Sequence, residues 1–169
     1  MRSRLFFLLT LSSFLVAAEK GALIDAARND DKGAIERLLK QRTNPNEQDE
    51  DGATALSWAT MRSNREMAQT LLEAGANPNL TNELGIGPLA LAIENGSVEL
   101  VDDLLSHKAN PNLARENGET PLMMAARAQR VDMMKLLLDK GASVNAHDQK
   151  FHQTALMWAT GQPAAVKLL

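Results

Sequence analysis

The chain carries three histidines, His107, His147 and His152, and no cysteine. Imidazole is the side chain best suited to move a proton or ligate a metal near neutral pH. The spacing of these three supports neither task. None stands in the HExxH pattern that puts two ligands and a base on one helix face. Without Cys, disulfides, thiolate zinc sites and cysteine nucleophiles are excluded. No serine sits in a G-x-S-x-G setting, and there is no Walker loop and no G-x-G-x-x-G run. Gly85-Ile86-Gly87 belongs to a turn and has no strand-to-helix unit after it. Glu47-Gln48-Asp49-Glu50-Asp51 gathers carboxylates at a loop but lacks the EF-hand spacing, with its Gly and terminal Glu, so it reads as a solvated acidic tip. The expectation is no catalytic residue, no metal site and no cofactor.

The elements that would position any site follow from composition. The chain has 169 residues, 44% hydrophobic but only 4% aromatic, with no Tyr. A core of Ala, Leu, Ile, Val and Met favours helices over a β-sandwich or barrel. The net charge of −3 offers no basic footprint for nucleic acid.

An internal period organises the rest. Gly52, Gly85 and Gly118 lie 33 residues apart, as do Leu56, Leu89 and Leu122. The same interval separates Leu39, Leu72, Leu105 and Leu138, and also Asn46, Asn79, Asn112 and Asn145. Each unit reads as a short helix, a turn and a second helix. Thr120 suits an N-cap and Pro121 the first helical turn. Val131, Met134, Leu137 and Leu138 form an amphipathic stripe, and Gly141 tolerates the left-handed conformation that ends the helix. Small Ala125 and Ala126 let neighbouring helix pairs approach closely. Trp58, Leu91, Met124 and Trp158 share one repeat position and are assigned to the core. Among the methionines, Met61 and Met123 are expected to be partly exposed, and the others, Met157 included, buried.

Gly118-x-Thr120-Pro121-Leu122-x-x-Ala125-Ala126 followed by Leu137-Leu138-x-x-Gly141-Ala142-x-x-Asn145 resembles the ankyrin repeat. Thr54-Ala55-Leu56, Gly87-Pro88-Leu89 and Thr154-Ala155-Leu156 are variants of the same start. The resemblance implies an all-α ankyrin-repeat solenoid of helix-turn-helix units with connecting β-hairpin loops. The units fall at about 20–48, 49–81, 82–114, 115–147 and a partial 148–169. A single repeat cannot bury its apolar face alone, so stability comes from stacking. The last unit departs from the pattern. Phe151-His152-Gln153 replaces the Gly region, Leu156 falls 34 after Leu122, and Lys167 falls only 32 after Lys135. The inter-helix turn near Gly161-Gln162-Pro163 is therefore expected to be two residues short, with Pro163 starting the second helix. Ending on Lys167-Leu168-Leu169 without a polar cap suggests a fragment of a longer array.

The first eighteen residues read differently. Arg2 and Arg4 precede the 12-residue apolar run Leu5–Val16, and Val16-Ala17-Ala18 supplies small residues before Glu19. This is the layout of a cleaved secretory signal peptide, residues 1–18. The run is shorter than the roughly 20 residues of a transmembrane helix. A retained anchor is the alternative. With Thr-Ala-Leu-x-Trp-Ala units behind it, the chain is similar to exported bacterial ankyrin-repeat proteins. It is expected in the periplasm or secreted, with no membrane association after signal removal.

Setting aside core positions leaves two rows of candidate contact residues. One is the loop tips: Glu50 and Asp51, Glu83 and Leu84, Glu116 and Asn117. The other is the end of each first helix: Arg28 and Asn29, Met61 and Arg62, Glu94 and Asn95, Arg127 and Ala128. The resemblance implies that such positions carry partner recognition along a concave face. Their mixed charge suits a protein ligand. The expectation is a monomeric, non-catalytic protein-interaction scaffold. The alternative is the N-terminal repeat module of a longer protein whose C-terminal part is enzymatic or structural.

Overall fold

A computed structural model describes residues 21–169. The expected signal peptide, residues 1–18, lies outside the described residues. Among the described residues, ten helices follow one another in pairs. They are α1 (Ala22–Arg28) with α2 (Lys32–Lys40), α3 (Ala55–Met61) with α4 (Arg65–Glu73), and α5 (Pro88–Glu94) with α6 (Val98–Ser106). Then come α7 (Pro121–Arg127) with α8 (Val131–Asp139), and α9 (Ala155–Trp158) with α10 (Pro163–Val166). First helices stack on first helices and second on second along the array.

Local chemistry starts each helix. The Thr54 hydroxyl accepts from the Ser57 N–H and that of Thr120 from the Met123 N–H, while Pro88 and Pro121 occupy first helical positions. Asp31 and Asn64 accept from backbone N–H groups at the start of α2 and α4. Leu56, Leu89 and Leu122, one per first helix, are buried at the repeat interfaces among small Ala59, Ala92 and Ala125. Leu72 and Leu105 are buried from the second helices, whereas Leu39 and Leu138 of the same series are only half-buried, being nearer the ends of the stack.

The asparagine series has a structural role that periodicity alone does not reveal. Asn79 donates from Nδ2 to the Lys108 carbonyl (3.0 Å) and accepts at Oδ1 from the Asn110 N–H (2.7 Å). Asn46 does the same to Gly75 and Asn77, and Asn112 to Gly141 and Ser143. Each side chain thus satisfies two backbone groups of the next repeat, at the end of its second helix, where backbone groups lack helical partners.

The connecting loops are tight hairpin turns, and no strand is present among the described residues. Each turn is closed by a backbone pair, as between the Asn82 N–H and the Ile86 carbonyl (3.1 Å). The repeated glycine sits at each turn with positive φ: Gly52 at 80°, Gly85 at 72°, Gly118 at 81°. A Cβ on Gly118 would lie 2.8 Å from the Gln149 nitrogen, and one on Gly85 3.0 Å from the Glu116 nitrogen. The glycine therefore serves two purposes: it takes the left-handed conformation and lets successive tips touch.

The last unit corrects several expectations. Its two missing residues come out of α9, which has four residues where α7 has seven, and not out of the turn. Pro163 does begin α10. Met157 is 55% exposed and Trp158 37%, although both were assigned to the core. Met123, expected at the surface, is 1% exposed; its N–H is capped by Thr120 and its sulfur lies 3.5 Å from the Thr120 nitrogen. Leu156, in the same helix, is 43% exposed as well. Leu168 and Leu169 are half-buried against the core, while Val166 is exposed.

Candidate protein-binding surface

The rigid stack presents both candidate rows to solvent. All fourteen residues, Arg28, Asn29, Glu50, Asp51, Met61, Arg62, Glu83, Leu84, Glu94, Asn95, Glu116, Asn117, Arg127 and Ala128, are exposed. Their placement follows from the repeat: a residue at the C-terminal end of a seven-residue helix, or at a hairpin tip, recurs once per unit.

Exposure does not make the fourteen equivalent. Asn95 donates from Nδ2 to the carbonyls of Thr60 (2.9 Å) and Met61 (3.1 Å), tying α5 to α3. The Arg62 guanidinium donates to the Arg28 carbonyl. Asn117 accepts from the Glu119 N–H at Oδ1, and its carbonyl accepts from the Gln149 N–H. These polar groups are engaged in shaping the face. Asn79 and Asn95, the two positions that match a glycosylation sequon, both hold neighbouring repeats in this way. Met61, 48% exposed, and Leu84, 60% exposed, are the large apolar side chains in the two rows.

Ion pairs join the tip row to the helix-end row. Arg28 at the end of α1 pairs with Asp49 (3.2 Å) and with Asp25 (3.3 Å), and its guanidinium lies 4.9 Å from the Trp58 ring centroid. Arg115 bridges Glu94 (2.6 Å) and Glu119 (3.5 Å), and Glu119 also meets Arg127 (2.9 Å). The Arg115 and Glu119 side chains are mostly buried, which fixes the network's geometry. Arg115 and Glu119 were absent from the residues singled out by sequence, and Trp58, assigned to the core, is partly buried with its ring under Arg28. The Arg–carboxylate links span different loops and helices, so no local spacing marks them.

Two concavities open along this face. One, about 470 Å³, lies between Asp25, Arg28 and the acidic tip Asp49, Glu50 and Asp51. The other, about 340 Å³, is lined by Arg127, Lys150, Phe151 and Trp158. The exposed aromatics of the last unit thus fall beside the candidate row.

Among the described residues, no three His, Cys, Asp or Glu side chains converge as metal ligands. No helix among them is long and apolar enough to cross a membrane. Asp103, away from the rows, has its carboxyl held below the ordinary value by the Arg65 guanidinium, which contacts both its oxygens (2.6 and 3.0 Å). This is the signature of a charge-assisted bidentate pair between second helices.

No curated protein sequence matches the chain. A family model described as Ankyrin repeats (3 copies) matches residues 8–82 and 89–169. Ankyrin repeats are generally protein–protein interaction modules and are typically non-catalytic. With stacked helix pairs, hairpin tips and a 33-residue period in agreement, the chain belongs to the ankyrin-repeat family.

Proposed function

We propose that this chain is an exported, non-catalytic scaffold that binds a protein ligand along the tips and first-helix ends, acting as a monomer in the periplasm or outside the cell. The single observation that carries the binding reading is the exposure of all fourteen residues, which recur at the tips and first-helix ends of the stack. Such a face is largely preformed, so binding orders few groups and loses little entropy. Arginine and aromatic side chains contribute most at interfaces, and Arg28, Arg62, Arg127 and Trp158 lie on or beside these rows. The export reading is supported by the Arg-headed apolar run and Val16-Ala17-Ala18.

Site-specific photocrosslinking in expressing cells tests the surface. A crosslinker at Met61 or Leu84 should yield a discrete adduct, and one at Asp102 on the outer helix layer should not. An adduct only from Asp102 would overturn the assignment. N-terminal sequencing of the exported protein should begin at Glu19, whereas recovery of Met1 in a membrane pellet would overturn the soluble, exported form.

A further inference from the structure

The tip of the last unit is built unlike the other three. Where the earlier tips turn at Gly52, Gly85 and Gly118, this one takes positive φ at His152 (53°). A bulky residue in the left-handed region costs about 1 kcal/mol or more relative to glycine. The closing backbone pair is also one residue wider, from the Asp148 N–H to the Gln153 carbonyl (3.0 Å). The result brings the His147 and His152 rings together, with centroids 5.0 Å apart and their Nδ1 atoms 3.3 Å apart. The Asp148 carbonyl oxygen lies 3.3 Å from the His147 Nδ1.

We infer that this loop is a zinc-binding site, with the Nδ1 atoms of His147 and His152 as the two nitrogen ligands. The separation selects the metal geometry. Zn–N bonds of about 2.0–2.1 Å at a tetrahedral angle put two nitrogens roughly 3.3–3.4 Å apart. Adjacent ligands of a square-planar Cu²⁺ or Ni²⁺ ion would need to approach to about 2.8 Å. The observed 3.3 Å is the tetrahedral spacing. The Asp148 carbonyl oxygen is a third donor at the same distance from His147, and the remaining position is left for water or a donor from a bound protein.

The loop holds this arrangement before any ion arrives. The Asp148 carboxylate, in a residue 8% exposed, accepts from the N–H groups of Lys150 (2.9 Å), Phe151 (2.6 Å) and Gln153 (2.9 Å). Those three bonds fix the backbone on both sides of His152. They also keep a negative charge next to the ligand pair, which favours a cation there. Preorganised ligands on a pinned loop lose little freedom when the ion binds.

Calorimetric titration of the full chain with Zn²⁺, after chelator treatment, should show one site per chain. Zinc should shift the ¹⁵N resonances of His147 and His152 Nδ1 and leave those of His107 unmoved. His147→Ala and His152→Ala should each weaken binding at least tenfold, and His107→Ala should not change it. His152→Gly separates ligation from folding: it restores the glycine of the other tips, so it should melt no lower than the parent without metal and yet lose zinc. Absence of binding at millimolar Zn²⁺, binding that survives in the doubly substituted His147→Ala, His152→Ala chain, or binding that survives His152→Gly would each overturn the assignment.

Discussion

The middle of the stack and its last unit are made from one sequence pattern and reach different ends. Leu122 of α7 is 1% exposed, and Leu156, its counterpart in α9, is 43% exposed. Asn112 clamps the repeat that follows it, while Asn145 makes no such bond among the described residues. Arg65 and Asp103 tie α4 to α6, and among the described residues no ion pair ties α8 to α10. The contrast teaches that a repeat's own residues do not suffice to hold it. Each unit is held by what the neighbours on both sides cover, as expected for a quasi-one-dimensional array.

Core truncation should separate the two regions most widely. Leu104→Ala, at a side chain with no exposure, should cost about 2–5 kcal/mol through lost burial and a residual cavity. Leu156→Ala, already half in water, should cost under about 1 kcal/mol, since little apolar area is lost. Denaturant midpoints on the two variants give the answer, and equal losses would mean the last unit is as tightly packed as the centre. Hydrogen exchange sharpens the same point: amides from Trp158 to Leu169 should exchange well before those of Leu104 and Leu105.

Glycine substitutions should give the next largest difference. Gly118→Ala meets both a positive φ and backbone 2.8 Å away, so a loss of about 2–3 kcal/mol is expected. Gly161→Ala, at φ 92° with nothing within 4 Å, should lose only the conformational part, about 1 kcal/mol. Thermal melts that rank the two the other way would remove tip-to-tip contact as a reason for the conserved interval of the glycines within this chain.

Smaller still is the asparagine clamp. Asn112→Ala removes two hydrogen bonds to backbone and should cost about 1–2 kcal/mol, with Asn145→Ala near zero. The smallest effect belongs to Asp103→Asn. The Arg65 guanidinium depresses the Asp103 carboxyl, so the pair stabilises the fold above the unfolded carboxylate value near about 3.9 and loses that contribution as pH falls through the lower folded value. The variant should therefore be less stable than the parent at pH 7 by under about 1 kcal/mol, with the gap closing below about pH 4. A gap that widens in acid would show that Asp103 acts other than as a carboxylate.

Much of this was legible in residues alone. Thr54 and Thr120 cap where their spacing before apolar helices placed them, and Pro163 begins the helix it was expected to begin. The two rows of candidate residues emerged exposed because any position left over from a 33-residue core pattern must face outward. Periodicity failed where a length change had more than one way to be absorbed. Two residues missing between Thr154 and Lys167 can shorten a turn or a helix, and α9 gave way. The exposure of Met157 and Trp158 was not legible either, because it depends on what packs over α9 and not on their repeat position. Met123 ran the other way: it is buried, and its sulfur meets the N–H of its own N-cap within the first turn of α7, a contact that repeat alignment does not register.

Sequence by itself determined the helix pairs, their number, their order and the outward rows, because these depend on local caps, apolar spacing and a repeat that recurs in fixed phase. Only the tertiary structure decided which asparagine stitches which carbonyl, how Arg115 links Glu94 to Glu119, and that His147 and His152 meet. Those contacts form between segments whose separation in space is set by stacking and turn geometry. A one-residue difference in a tip moves a side chain by several ångströms, and no residue pattern along the chain carries that displacement.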